Sequence, residues 1–177
     1  MRLLTVTLAL LLALPAWAVN TSREELDARV QETLSSLYET SSAARELASD
    51  AKGILVFPHV YKAGVGIGGE YGEGALLVGN QTADYYNTAG ASFGFQLGAQ
   101  RMSQVIMFMN TDALERFRNS KGWEAGVDGS VALATLGAGG TLSTETLQQP
   151  IIGFVFSNEG LMYNLTLEGS KYTKISK

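Results

Sequence analysis

The chain has no cysteine and a single histidine, His59, among its 177 residues. The first absence excludes disulfides, thiolate metal ligands and a lipid-modified N-terminal cysteine, although a chain of this length buries a sufficient core without cross-links. With one histidine and no clustered carboxylates, a zinc site lacks ligands, and no EF-hand loop for calcium occurs. No G-x-S-x-G nucleophile elbow is present, so nothing nominates a serine partner for His59 and a hydrolase is the least favoured reading. Basic residues are in the minority, 13 against 17 acidic, for a net charge of −4. That balance argues against nucleic acid as a partner, since such binding rests on neutralising phosphates. Nor is there an apolar run of the roughly 20 residues that a membrane-spanning helix needs. No catalytic residue, metal or cofactor is expected.

The run that comes nearest, Leu3 to Leu14, follows Arg2 and is closed by Pro15 and the small-x-small triplet Ala16-Trp17-Ala18. This is the three-part layout of a secretory signal cleaved after Ala18. The remaining chain, Val19 to Lys177, reads as one domain: helical over 22–50, β-rich over 54–175, with a short helix at about 111–119. Losing Arg2 leaves 12 basic and 17 acidic residues, net −5. The acids crowd the first part, where Glu24, Glu25, Asp27, Glu32, Glu39, Glu46 and Asp50 face only Arg23, Arg29 and Arg45.

Ser22-Arg-Glu-Glu25 forms a capping box that opens a helix. Leu26, Val30, Leu34, Leu37, Ser41, Ala44, Leu47 and Ala48 then recur every three or four residues, with a break expected at Thr40-Ser41-Ser42 and a stop at Gly53. An interfacial membrane helix would carry Lys and Arg on its polar face; this one is mainly acidic, so the stripe reads as a face packed on the protein's own core. From Ile54 the period becomes two. Ile54–Phe57 reads as a short strand stopped by Pro58. Alternation returns at Gly64–Gly68, Ser92–Ala99, Val127–Leu133 and Leu161–Leu167, while Val105–Met109 reads as a strand buried on both faces. Asn110 to Asp112 offer a cap for the short helix, which Gly122 would end.

Glycine repeated on one face of several strands weakens a sheet unless something approaches closely there. Curvature and close packing are the ordinary beneficiaries. The fold class is therefore α+β: an N-terminal helical segment packed on a curved, Gly-rich, mainly antiparallel sheet or partial barrel.

Gly64-Val-Gly-Ile-Gly-Gly69 satisfies G-x-G-x-x-G literally, but the pattern runs on as strand rather than opening a helix, so a dinucleotide site is not expected. Glu70 and Glu73 read as solvated acids at the edge of a Gly-rich turn. The basic groups Lys52–His59–Lys62, Arg116–Arg118–Lys121 and Lys171–Lys174–Lys177 would attract anionic headgroups only if they converged on one face.

Ala51-Lys-Gly-Ile-Leu-Val-Phe-Pro58, Lys62-Ala-Gly-Val-Gly-Ile-Gly-Gly69, Tyr71-Gly-Glu-Gly74 and Gly94-Phe-Gln-Leu-Gly-Ala-Gln100 resemble the signatures of the SYLF domain family. The resemblance covers roughly Leu26 to Ile175. It implies a lipid-binding module; eukaryotic members bind phosphoinositides and in some cases actin, and exported bacterial members are mostly single-domain envelope proteins. The acidic N-terminal helix departs from relatives that insert a helix into lipid, and the segment from Gln81 to Thr88 lacks a Trp-rich, Pro-containing insert. The expectation is a non-catalytic, periplasmic, lipid-binding or peripherally membrane-associated module. Its partner is a phospholipid or other anionic headgroup, with an envelope protein as the alternative. Lys52, Lys62 and Arg101 would meet headgroups, and Tyr61 and Tyr71 would sit at the interface.

Overall fold

The computed structural model describes residues 21–134, 142–157, 160–161 and 166–177, without the side chains of 65–66, 92–98 and 160–161. The leader read at 1–18 lies outside these residues, as do the middle of the strand read at Leu161–Leu167 and the segment 135–141.

Two helices come first, α1 (Arg23–Thr40) and α2 (Ser42–Asp50). Ser22 caps α1 by accepting from the Glu25 amide at 3.2 Å, and Ser41 caps α2 by accepting from the Ala44 amide at 3.1 Å. The hydroxyl cluster at 40–42 thus ends one helix and opens the next. Leu26, Val30, Leu34, Leu37, Ala44 and Leu47 are buried, which bears out the core-facing stripe. Gly53 does not stop the helix. α2 ends at Ala51, and Gly53 opens the first strand, where a methyl would lie 2.7 Å from Leu114 Cδ1.

A single long ribbon follows: β1 (Gly53–Val78) and β2 (Gln81–Phe108), antiparallel and joined at Gly79-Asn80, both with positive φ. That pair of left-handed residues is the two-residue turn that matches strand twist. Pro58 does not end β1. It lies in a bulge, the register shifting between Phe57 and Val60, and a proline, which has no N–H to donate, is tolerated there because the ladder is interrupted at that point. Glu70 and Glu73 accordingly lie within β1 and not at a turn.

A straight strand of this length would extend about 85 Å. Instead β1 folds back on itself. A methyl on Gly64 would overlap the Gly68 backbone, a residue that a straight strand would place about 13 Å away. Beyond the bend the second arm crosses the first: a methyl on Gly72 would lie 2.6 Å from the His59 carbonyl oxygen, and one on Gly74 would collide with the Val56 carbonyl and the Phe57 ring. Glycine is required at this crossing because two backbones meet with no side chain between them.

The rest of the sheet hangs on the other edge of β2. β5 (Ile151–Ser157) pairs with Ser103–Phe108 and β7 (Lys171–Ile175) with Tyr85–Ala89, both antiparallel. Short strands β3 (Trp123–Glu124), β4 (Ala132–Leu133) and β6 (Gly160–Leu161) complete seven strands among the described residues, with only β4–β5 parallel. The sequence from Val127 to Leu133 is not one strand. Gly126 has positive φ, Val127 is 74% exposed, and only Ala132–Leu133 joins the sheet. Helix α3 (Thr111–Asn119), capped by Asn110, ends at Ser120 rather than Gly122; α4 (Thr144–Leu147) is one turn.

Alternate strand residues divide into two cores. Ile54, Val56, Ala75, Leu77, Val105 and Met107 pack under α1 and α2. Leu55, Phe57, Leu76, Tyr86, Ile106 and Phe108 turn the other way, onto Phe117, Trp123 and Tyr172. Val105–Phe108 is buried on both faces, as the unbroken apolar run predicts. The architecture is α+β, a helical layer on a strongly curved, half-closed sheet.

Candidate functional site

Between the stretches of β2 that pair with β7 and β5, residues 90–102 pair with β1 alone among the described residues. This is the bent end of the ribbon. Three of the exposed large hydrophobic residues lie on its β1 strand: Tyr61 at 55%, Ile67 at 69% and Tyr71 at 48%. Tyr61 is registered with Arg101, Lys62 with Gln100, and Tyr71 with Ala89. The register therefore sets Tyr61 beside Arg101 on one face of the ribbon and Lys62 on the other, and the backbone crossing at Gly72 leaves Tyr71 one residue from the point where the arms touch at His59. Tyr71 donates to Glu73 Oε1 at 3.2 Å. Lys52 is not part of this group. Its amide is bonded to the Phe108 carbonyl at the base of the ribbon, nine residues or roughly 30 Å of strand from Tyr61, and its side chain borders a separate cleft with Tyr38, Arg45 and Asn80.

Four other basic residues are engaged within the fold. Asp84, on β2, holds both Arg118 (3.2 Å) and Lys174. Lys177 Nζ lies 2.6 Å from Glu73 and 2.9 Å from the Thr21 carbonyl, and Arg23 donates to the Lys177 backbone oxygen. These contacts tie the C-terminus and α1 to the ribbon. Asp27 does the same from the helix, accepting from Thr82 and from the Tyr85 hydroxyl, each at 2.9 Å. Burial, followed by the Asp27 carboxylate, pushes the Tyr85 phenol up to about 12. Glu70 accepts from Ser170 at 2.5 Å. Both acids of the Glu70/Glu73 pair are thus bonded within the fold. Among the described residues, no three His, Asp or Glu side chains converge as metal ligands.

Beside the bend lies a cleft of about 550 Å³ between α1, the Pro58 bulge, β2 and the end of β5. α1 contributes Arg29, Glu32 and Ser36, the bulge contributes His59, and β2 contributes Arg101. The bulge positions the histidine: with Pro58 and His59 out of register, the imidazole reaches α1, where Arg29 Nη1 is 3.3 Å from His59 Nδ1. A guanidinium only donates, so Nδ1 accepts and the ring carries its proton on Nε2. Burial, then Arg101 and Arg29, lower the His59 pKa below its usual 6.5, against a smaller opposing effect of Glu32. Arg29 is also bridged to Glu25 at 2.5 Å. Arg101 makes no ion pair among the described residues.

Sequence reading selected Arg101 but not Arg29 or His59. The helix stripe identifies its buried face and leaves Arg29 among the solvated residues, and only the unrecognised bulge joins His59 to it.

The sequence profile of the Ysc84 family, described as Las17-binding protein actin regulator, matches residues 89–177, from within β2 to the C-terminus. Arg101 lies inside that span, whereas Lys52, Tyr61, Lys62 and Tyr71 precede it. No curated protein matches the chain. Half of the chain is covered, including β5, β7 and the second strand of the bent ribbon from Ala89 onward, and the chain belongs to the Ysc84 family, which is the SYLF domain family.

Proposed function

We propose that this protein is a non-catalytic lipid-binding module that docks on anionic membrane surfaces through the bent end of its ribbon. The observation that carries this reading is the exposure of Tyr61 and Ile67, both more than half exposed, within one laterally unpaired section that also bears Lys62 and Arg101, with the half-exposed Tyr71 just beyond its edge. Tyrosine suits a headgroup boundary, having an apolar ring and a polar tip. Each basic residue near an anionic surface contributes about 1 kcal/mol, and transferring an apolar side chain out of water adds about 25 cal/mol per Å². Family membership is consistent with a lipid-binding or actin-related module. The Met1–Ala18 sequence, read as a secretory leader, supports action outside the cytoplasm, in a bacterial periplasm, with peripheral membrane attachment.

The test is co-sedimentation of the purified protein with phosphatidylglycerol-containing and pure phosphatidylcholine vesicles at low and high salt. Binding to the anionic vesicles is expected to fall with salt and with Lys62→Glu or Ile67→Asp, while Lys52→Glu leaves it unchanged. The family description names a protein, Las17, as a binding partner, and this favours a second reading as a protein-interaction factor of the cell envelope. Absence of binding to every vesicle would reject the first reading in favour of the second.

A further inference from the structure

We propose that the cleft between α1 and the Pro58 bulge is an oxyanion site that takes a phosphate group, carried either by a soluble phosphomonoester or by a lipid headgroup. The inference rests on the cleft's own geometry and holds whether or not the bend docks on a bilayer. Its walls place two guanidiniums, Arg29 and Arg101, beside the Glu32 carboxylate, with Arg29 bridged behind them to Glu25. Arginine presents several N–H groups in a planar fork that matches phosphate oxygens in pairs. Arg101 has no ion-pair partner among the described residues, and Arg29 has donors beyond those used by Glu25 and His59. His59 adds its Nε2–H, because Nδ1 is occupied by Arg29.

The hydroxyls are arranged unequally. Thr33 donates to the Arg29 carbonyl at 2.7 Å and Ser103 to the Pro58 carbonyl at 2.8 Å, so both hold the frame. Ser36 makes no such bond among the described residues and supplies a further donor. The volume of about 550 Å³ is in the range of small-molecule sites and exceeds what a bare ion needs. An organic substituent therefore fits behind the phosphate, against Met102 and Phe156.

The test uses the purified full chain, titrated with inorganic phosphate and with glycerol 3-phosphate at constant ionic strength, following the His59 ring protons by NMR. Saturable shifts are expected at His59, together with a rise in its pKa, because a bound dianion favours the imidazolium. Arg101→Gln is expected to weaken binding about ten-fold or more, the loss of a charged hydrogen-bond donor. Arg101→Lys keeps the charge without the fork and is expected to fall between, and Lys52→Gln to have no effect. Arg101 is exposed, so thermal melts of these variants are expected to match the parent. Absence of a saturable shift at His59 overturns the proposal, as does affinity unchanged in Arg101→Gln. Phosphatidylglycerol vesicles that displace glycerol 3-phosphate competitively identify the headgroup as the source. Simultaneous binding of both identifies a soluble phosphomonoester. If the proposed membrane docking fails, phosphate binding at His59 still stands or falls by its own titration.

Discussion

Replacing Gly72 by alanine tests the claim that β1 is bent so sharply that its two arms touch. The added methyl would lie 2.6 Å from the His59 carbonyl oxygen and 3.0 Å from Val60 Cγ2, where ordinary contact begins at 3.4 Å. The arms must therefore part by about 0.8 Å at the crossing. A gap of that size forfeits a quarter to a half of the dispersion energy of the contacts it opens, and Val60, Phe57 and Leu76 are fully buried around it. Overpacking of this kind costs about 2–3 kcal/mol, which for a domain of this size lowers Tm by about 5–10 °C. Gly69, three residues earlier on the same strand, is the control. A methyl there would meet only the Gly90 carbonyl at 3.7 Å, so Gly69→Ala is expected to be neutral or to stabilise by up to about 1 kcal/mol. The assay is calorimetric or circular-dichroism melting of both variants beside the parent. Equal melting of the two variants would refute the crossing.

Gln104 is fully buried with neither side-chain polar atom bonded; Gln104→Leu is expected to raise stability by about 1–3 kcal/mol in denaturant melts, and a fall of that size would show the amide to be engaged. Asp27→Ala removes two hydrogen bonds from α1 to the ribbon and is expected to cost about 1.5–3 kcal/mol. Asp27→Asn should in addition bring the Tyr85 phenol down from about 12, which ultraviolet titration reads. His59 has a folded pKa below its unfolded value of 6.5, through burial and then the two arginines, with Glu32 opposing. Its contribution to stability is therefore complete above pH 6.5 and is lost as pH falls through the folded value. His59→Gln should flatten that acid-side loss, and an unchanged profile would place its origin elsewhere.

Helices α1 and α2 were legible because a capping serine and a 3.6-residue stripe are local signals: Ser22 and Ser41 act within three residues of where they stand; the single turn of α4 was not read. The two-sided burial of Val105–Phe108 and the role of glycine in close packing were legible for the same reason. What stayed hidden is long-range. Nothing near Pro58 says that a proline will lie in a bulge of a 26-residue strand rather than end a short one. Val127–Leu133 alternates like a strand, yet Gly126 turns the chain away from the sheet. β7 has too few apolar residues to announce itself, and it forms because Tyr172 is buried opposite Thr88. Of the site, Tyr61, Lys62 and Arg101 were readable as basic and aromatic residues near a signature. Their separation from Lys52 depends on where the ribbon bends, and the Arg29–His59 contact spans thirty residues.

The absence of cysteine makes the membrane reading directly measurable by a single introduced label. Ile67→Cys carries an environment-sensitive fluorophore at the bend, and Leu147→Cys carries it on α4, four residues from the strand that joins the base of the ribbon. With phosphatidylglycerol-containing vesicles, the label at 67 should shift to the blue and be quenched by a lipid-resident quencher, while the label at 147 stays in water. Protein that co-sediments with those vesicles while the label at 67 remains in water would contradict docking through the bend.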